Sequence, residues 1–189
     1  ADEIALLAQR GASVAHCPAS NLKLGSGIAP VAELLAAGVN IGFGTDGAAS
    51  NDRLDMVSEM RLAALLAKGA SRDPSVLPAP AALEAATLGG ARALGLERRI
   101  GSIEVGKEAD LAAFDLYEIE TQPVFDALSQ LVYAAGREHA TDVWVAGRSV
   151  VRTRQVRAEA QGAASGSPAA TLLAWQNRCR QVLQTAGLA

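Results

Sequence analysis

The chain has 189 residues, half of them apolar and a fifth charged, a balance that supports a buried core and does not fit a disordered chain. A net charge of −3 and a pI near 5.4 supply no basic field for phosphate backbones, so nucleic acid is not an expected partner. No stretch reaches the roughly 18 consecutive apolar residues of a membrane span, and the N-terminal residues lack the layout of a signal peptide, so no membrane partner and a cytoplasmic location are expected.

Aromatic residues make up only 4% of the chain, so packing must rest on many small side chains rather than a few large anchors. Cys17 and Cys179 are far apart in sequence and form no CxxC pair. Both read as free thiols.

The opening run ADEIALLAQR sets Ile4, Leu6 and Leu7 on one helical face and stops at Gly11. A short apolar run, Ala12 to Ala15, reads as a strand with His16 at its C-terminal end, closed by Pro18. A Ser, Asn and Gly-rich loop follows, and Pro30 opens a second helix, PVAELLAAG. Val39 to Phe43 reads as the next strand, ending at Gly44-Thr45-Asp46-Gly47. Ser50 and Asn51 are good N-cap types for an amphipathic helix expected from about Asp52 to Lys68. Such alternation of strand and helix predicts parallel strands, in a doubly wound sheet or a TIM barrel. In both, chemistry sits beyond the C-terminal strand ends, where His16 and Asp46 could share one mouth.

After the connection SRDPSVLPAP, a helix apolar almost all round, and so expected to be buried, is predicted from Ala81 to Leu94, stopping at Gly95. The character then changes. GSIEVGKEADLAAFDL reads as a turn and a strand, and TDVWVAGRSVVRTRQVR as a hairpin bending at Gly147. AEAQGAASGSPAA has the composition of a linker, and Pro168 starts a final helix containing Trp175 and Leu183.

The run IGFGTDGAASND is the most informative. A carboxylate between two glycines at a strand end can be approached closely by a ligand or metal, although an isolated Asp-Gly more often only caps a turn. His16 near a strand end and His139 in GREHATDVW are, taken singly, packing residues. Asn51, Asp52 and Asp55 lack the arrangement of an EF-hand calcium loop, and Lys23 reads as solvated. The glycines form no phosphate or dinucleotide loop.

HCPASNLKLGSG followed by GTDGAASNDRLDM closely resembles the amidohydrolase superfamily, above all its methylthioadenosine and S-adenosylhomocysteine deaminases, with triazine chlorohydrolases nearly as similar. The likeness continues through RLAALLAK, ATLGGARALGL and GSIEVGKEADLAAFDL to DVWVAGR. It implies an α/β fold: the last two β/α units of a TIM barrel in residues 1–95, the C-terminal part of a small β-sandwich in 96–157, and a linker and terminal helix in 158–189. It also implies one divalent metal, zinc with iron as the alternative. Asp46 matches the aspartate that ligates this metal and carries a proton from the attacking water to the leaving group, while His16, Ser20 and Asn21 fall on the substrate rim.

The resemblance further implies a His-x-His pair, other ligand histidines and a catalytic glutamate on earlier strands, none of which these residues contain. The chain is therefore expected to be part of a longer hydrolytic deaminase of adenine-type nucleosides, inactive alone. It is expected to associate with the missing N-terminal part or as a homo-oligomer. A chlorohydrolase or guanine-type deaminase, or a non-catalytic self-associating module, are the alternatives.

Overall fold

A computed structural model of the chain describes residues 2–157 and 168–185. Helix α1 (Asp2–Gln9) leads into strand β1 (Ser13–His16), and the short helices α2 (Pro18–Lys23) and α3 (Val31–Ala36) carry the chain to strand β2 (Asn40–Phe43). The two strands are parallel, with Ser13 opposite Asn40 and His16 opposite Phe43. The parallel pairing expected from the alternating pattern is present.

The helix α4 (Met56–Ser71) starts later than the sequence suggests. Asp55 is its N-cap, accepting from the N–H groups of Val57 and Ser58. Asn51 instead turns the preceding loop: its Oδ1 accepts from the N–H groups of Arg53 and Leu54, and Leu54 adopts a left-handed φ of 47°. That turn satisfies the donors a longer helix would have used. The segment Cys17 to Lys23 also departs from expectation. Pro18 ends strand pairing as predicted, yet it does so as the first residue of α2, where its fixed φ suits a helix and its missing N–H costs nothing.

The expected helix at Ala81–Leu94 is a continuous helical run with a wider turn inside it: α5 (Ala79–Glu84), a π turn (Ala85–Gly89) and α6 (Gly90–Ala93). It is buried on one face only, since Ala82, Ala85, Gly89 and Ala91 are buried while Leu94 is exposed. Gly89 lies directly on β2. A Cβ there would stand 2.3 Å from the Ile41 carbonyl oxygen, and one on Gly42 would stand 2.9 Å from the Gly90 Cα. Asn40 seals the contact, its Nδ2 donating to the Gly89 carbonyl and the Ser13 hydroxyl, each at 3.0 Å. A π turn shifts the helix register locally, which lets these glycines face the strand.

One apolar core fills the space around β2, built from Val31 and Leu34 of α3, Ile41 and Phe43 of β2, Val57, Met60, Ala63, Ala64 and Ala67 of α4, and Ala79 and Ala82 of α5. The alanine face of α4 lets neighbouring backbones approach closely, as the composition requires. Helix α7 (Ala127–Tyr133), which the sequence pattern did not reveal, is capped by Asp126 and adds Val132 to this core. Arg61 of α4 binds the carbonyls of Val132 and Ala135 at its C-terminal end.

Beyond residue 95, strands β3 (Leu111–Phe114), β4 (Ala140–Val145), β5 (Arg148–Arg152) and β6 (Gln155–Val156) form one antiparallel sheet in that order. Ala146 and Gly147 both take positive φ, 48° and 75°, the geometry of a tight hairpin turn where Gly147 was expected. The expected linker falls largely outside the described residues. The final helix, α8 (Pro168–Thr185), is present.

The glycine contact generates a paired test. Gly89→Ala is expected to lower unfolding stability by about 1–3 kcal/mol through backbone overpacking. Gly90→Ala, whose Cβ would meet nothing within 4 Å, is expected to be neutral or to stabilise by up to about 1 kcal/mol through helix propensity. Urea midpoints decide it: equal shifts for the two variants would contradict close packing at Gly89.

Candidate functional site

Strands β1 and β2 finish side by side, and the Gly44 N–H donates to the His16 carbonyl at 3.0 Å just past the last paired residues. The chain leaves both strands here, through Cys17-Pro18 on one and Gly44-Thr45-Asp46-Gly47 on the other. The Cys17 sulfur lies beneath Gly44, where a Cβ would come within 3.1 Å of it. Burial and the negative charge of Asp46 push the Cys17 thiol pKa up, which keeps it protonated and unreactive.

Asp46 adopts φ 59°, a left-handed conformation that aspartate tolerates better than most residues but still at a cost. The result is an exposed carboxylate standing above the strand ends. Its Oδ2 accepts two hydroxyl hydrogen bonds, from Ser20 Oγ and from Ser50 Oγ, each 2.7 Å long. Those two hydroxyls, with the Gly47 N–H, hold the Asp46 pKa below the usual carboxylate value. Asp46 is therefore an anion at neutral pH, with both serine hydroxyls gathered on one oxygen.

The serines are placed by a buried network that the sequence does not announce. Glu59, 2% exposed on the first turn of α4, accepts from the Ala19 N–H at 3.0 Å through Oε2 and from Asn51 Nδ2 at 2.6 Å through Oε1. One bond anchors the N-terminus of α2, the helix that carries Ser20. The other anchors the loop that carries Ser50. A carboxylate at a helix N-terminus also suits the backbone dipoles there.

The remaining predicted residues fall into distinct environments. Ser20 is buried and bonded to Asp46. Asn21, next on α2, is half-buried, and its carbonyl accepts from the Ser26 N–H at 2.8 Å; no hydrogen bond joins it to Asp46 among the described residues. His16 is 3% exposed, and its ring meets Phe43 edge-on at 6.2 Å between centroids. Neither of its ring nitrogens has a hydrogen-bond partner among the described residues. Burial lowers its pKa, so the ring is neutral. Lys23 is tied to Asp52 at 2.8 Å and to the Ala49 carbonyl at 3.0 Å. A groove of about 540 Å³ lies between α2 and α4 beside this ion pair.

A second acidic group lies in the β-rich part, where Glu118, Glu120 and His139 bring ligand-type atoms within 4.8 Å of one another. The chemistry there is structural. His139 Nδ1 accepts from the Gly136 N–H at 3.0 Å, which places the ring proton on Nε2 and removes the lone pair a metal would need. Glu118 is paired with Arg154.

Two tests follow from the geometry. In Glu59→Gln, an amide NH2 must face either Ala19 N–H or Asn51 Nδ2, so one donor loses its acceptor; a loss of about 1–3 kcal/mol is expected. An unchanged unfolding midpoint would remove Glu59 from its anchoring role. For His16, the folded pKa is lowered, so between that value and the ordinary value near 6.5 the unfolded chain binds more protons than the folded one. Stability is then expected to fall as pH drops below about 6.5, less steeply in His16→Leu, as read from thermal midpoints across pH 5 to 8.

The chain is similar to proteins of known structure and named activity. The chain is 54% identical over 156 residues to a 5-methylthioadenosine/S-adenosylhomocysteine deaminase of Moorella thermoacetica, covering 82% of this chain and 36% of the relative. The crystal structure of an adenosine deaminase from Xanthomonas campestris with bound zinc superimposes with a TM-score of 0.88 at 52% identity, over 97% of this chain and 40% of that one. An atrazine chlorohydrolase from Arthrobacter aurescens complexed with zinc superimposes with a TM-score of 0.75 at 35% identity, over 83% of this chain and 35% of that one. The chain thus spans little more than a third of the length of the curated relatives it matches. The amidohydrolase family profile matches residues 1–150, and the chain belongs to that family.

Proposed function

We propose that the chain is the C-terminal portion of a metal-dependent hydrolytic deaminase acting on adenine-type nucleosides such as 5′-methylthioadenosine and S-adenosylhomocysteine, and that Asp46 is a metal ligand and the proton-transfer group of that enzyme. The observation that carries this reading is the ionised, exposed carboxylate of Asp46 at the shared C-terminal end of two parallel strands. In the proposed architecture, residues 1–95 supply the last two β/α units of a TIM barrel and residues 96–157 a portion of a β-sandwich. The outer edges of β1 and β2 then pair with strands of the preceding part of the protein, consistent with the share of its relatives that the chain spans.

The residues present fit one ligand of a metal site. Asp46 offers an oxygen that neither serine holds, whereas His16 is buried against Phe43 and His139 is committed to Gly136. The other ligands must come from outside this chain, since a zinc site needs about three protein ligands. Zinc is the metal named for the structural relatives, and iron is the alternative. When bound, such a metal lowers the pKa of water toward neutrality.

Asp46 takes a proton from the attacking water and returns it to the departing amine, a transfer that requires a carboxylate within hydrogen-bond reach of both. Its φ of 59° lifts the side chain clear of the strand ends to allow this. Asn21 on α2 is proposed to form the nucleoside wall beside it, with Ser20 and His16, both buried, forming the layer directly behind that wall. The homologues named as deaminases favour amine over halide as leaving group.

Asp46→Asn in the full-length protein is expected to reduce turnover of methylthioadenosine by several orders of magnitude, because an amide is a poor base. Assay against methylthioadenosine, S-adenosylhomocysteine, guanine and a chlorotriazine tests the substrate class. Preference for the chlorotriazine, or a near-normal rate in Asp46→Asn, would overturn the proposal.

A further inference from the structure

We infer that Ser50, acting with Ser20, is a positioning residue that makes Asp46 a one-oxygen metal ligand, with Oδ2 occupied by the two hydroxyls and Oδ1 presented to the metal. The inference rests on the metal-ligand reading of Asp46 and adds to it the residues that select the ligating oxygen.

The two donors come from different elements. Ser20 projects from α2 and Ser50 from the loop that follows β2, and both reach the same oxygen at 2.7 Å. A carboxylate oxygen has two lone-pair directions in its plane, so two hydroxyl donors fill Oδ2. Rotation of the carboxylate to exchange its oxygens would break two charge-assisted bonds at once. Ser50 Oγ also lies 3.1 Å from the Gly47 carbonyl. Its single proton serves the shorter bond to the carboxylate. The outer ends of the clamp are fixed in turn, because Glu59 binds the backbone of α2 beside Ser20 and the side chain of Asn51 beside Ser50. Ser50 is half-buried in a loop, so removing its hydroxyl opens no core cavity.

Partners that orient a metal ligand typically contribute about 10–100-fold to metal affinity. The test measures zinc affinity of the full-length protein by competition with a chromophoric chelator, alongside the thermal midpoint of each metal-free form. Relative to the unaltered protein, Ser50→Ala is expected to bind zinc several-fold more weakly and Ser20→Ala/Ser50→Ala about 10–100-fold more weakly. Ser50→Thr, which keeps a hydroxyl, is expected to restore affinity, and the metal-free midpoint of Ser50→Ala should fall by no more than a few degrees, the cost of one exposed hydrogen bond. Unchanged zinc affinity in both alanine variants would overturn the inference. So would a loss in Ser50→Ala that follows a larger fall in midpoint and persists in Ser50→Thr. Asp46→Ala separates the two levels: if it also leaves zinc affinity unchanged, the ligand reading fails, whereas a large loss there with none in the serine variants defeats only the positioning role.

Discussion

Glu59 is buried on the first turn of α4, and each of its carboxylate oxygens holds a different loop. A buried carboxylate is costly unless its oxygens are satisfied, so the helix, the N-terminus of α2 and the Asn51 turn are mutually dependent. Asp46 lies between the two anchored segments and takes a serine from each. The exposed carboxylate of the proposed site is thereby fixed by an interior one, and the left-handed backbone at Asp46 is held by bonds to its own side chain.

The second constraint is steric. Gly42 and Gly89 bring a helical backbone onto β2 with no side chain between them, Gly42 lying against the backbone of Gly90, and Asn40 bridges helix and both strands. The alanine face of α4 packs with similar economy on the same core. With so few aromatic residues, close backbone approach replaces bulky anchors in positioning the strand that leads to Gly44 to Gly47.

The family assignment and the incompleteness of the site are compatible. Relatives that superimpose closely are more than twice as long as this chain. A two-stranded parallel sheet with one suitable carboxylate is what a C-terminal portion of such a fold would contain. Among the described residues β1 and β2 pair only with each other, and in the proposed architecture their outer edges are where preceding barrel strands would adjoin.

The sequence by itself determined the parallel β1 and β2 units, the hairpin at Gly147, the helix after Pro168 and the prominence of Asp46, because each depends on local signals: hydrophobic period, a turn glycine, a helix-starting proline, a carboxylate flanked by glycines. Helix α2 was not legible, since its first-turn N–H at Ala19 is satisfied by Glu59, 40 positions away. Asn51 looked like a cap, but Asp55 took that place once Asn51 was drawn to Glu59. The π turn answers to the contact of Gly89 with β2. Ser50 reads only as a cap type, and its bond to Asp46 accompanies the left-handed backbone at Asp46. The identity of the key carboxylate was written in its neighbours, whereas the groups that orient it were set by long-range hydrogen bonding and backbone packing, which only the tertiary structure decides.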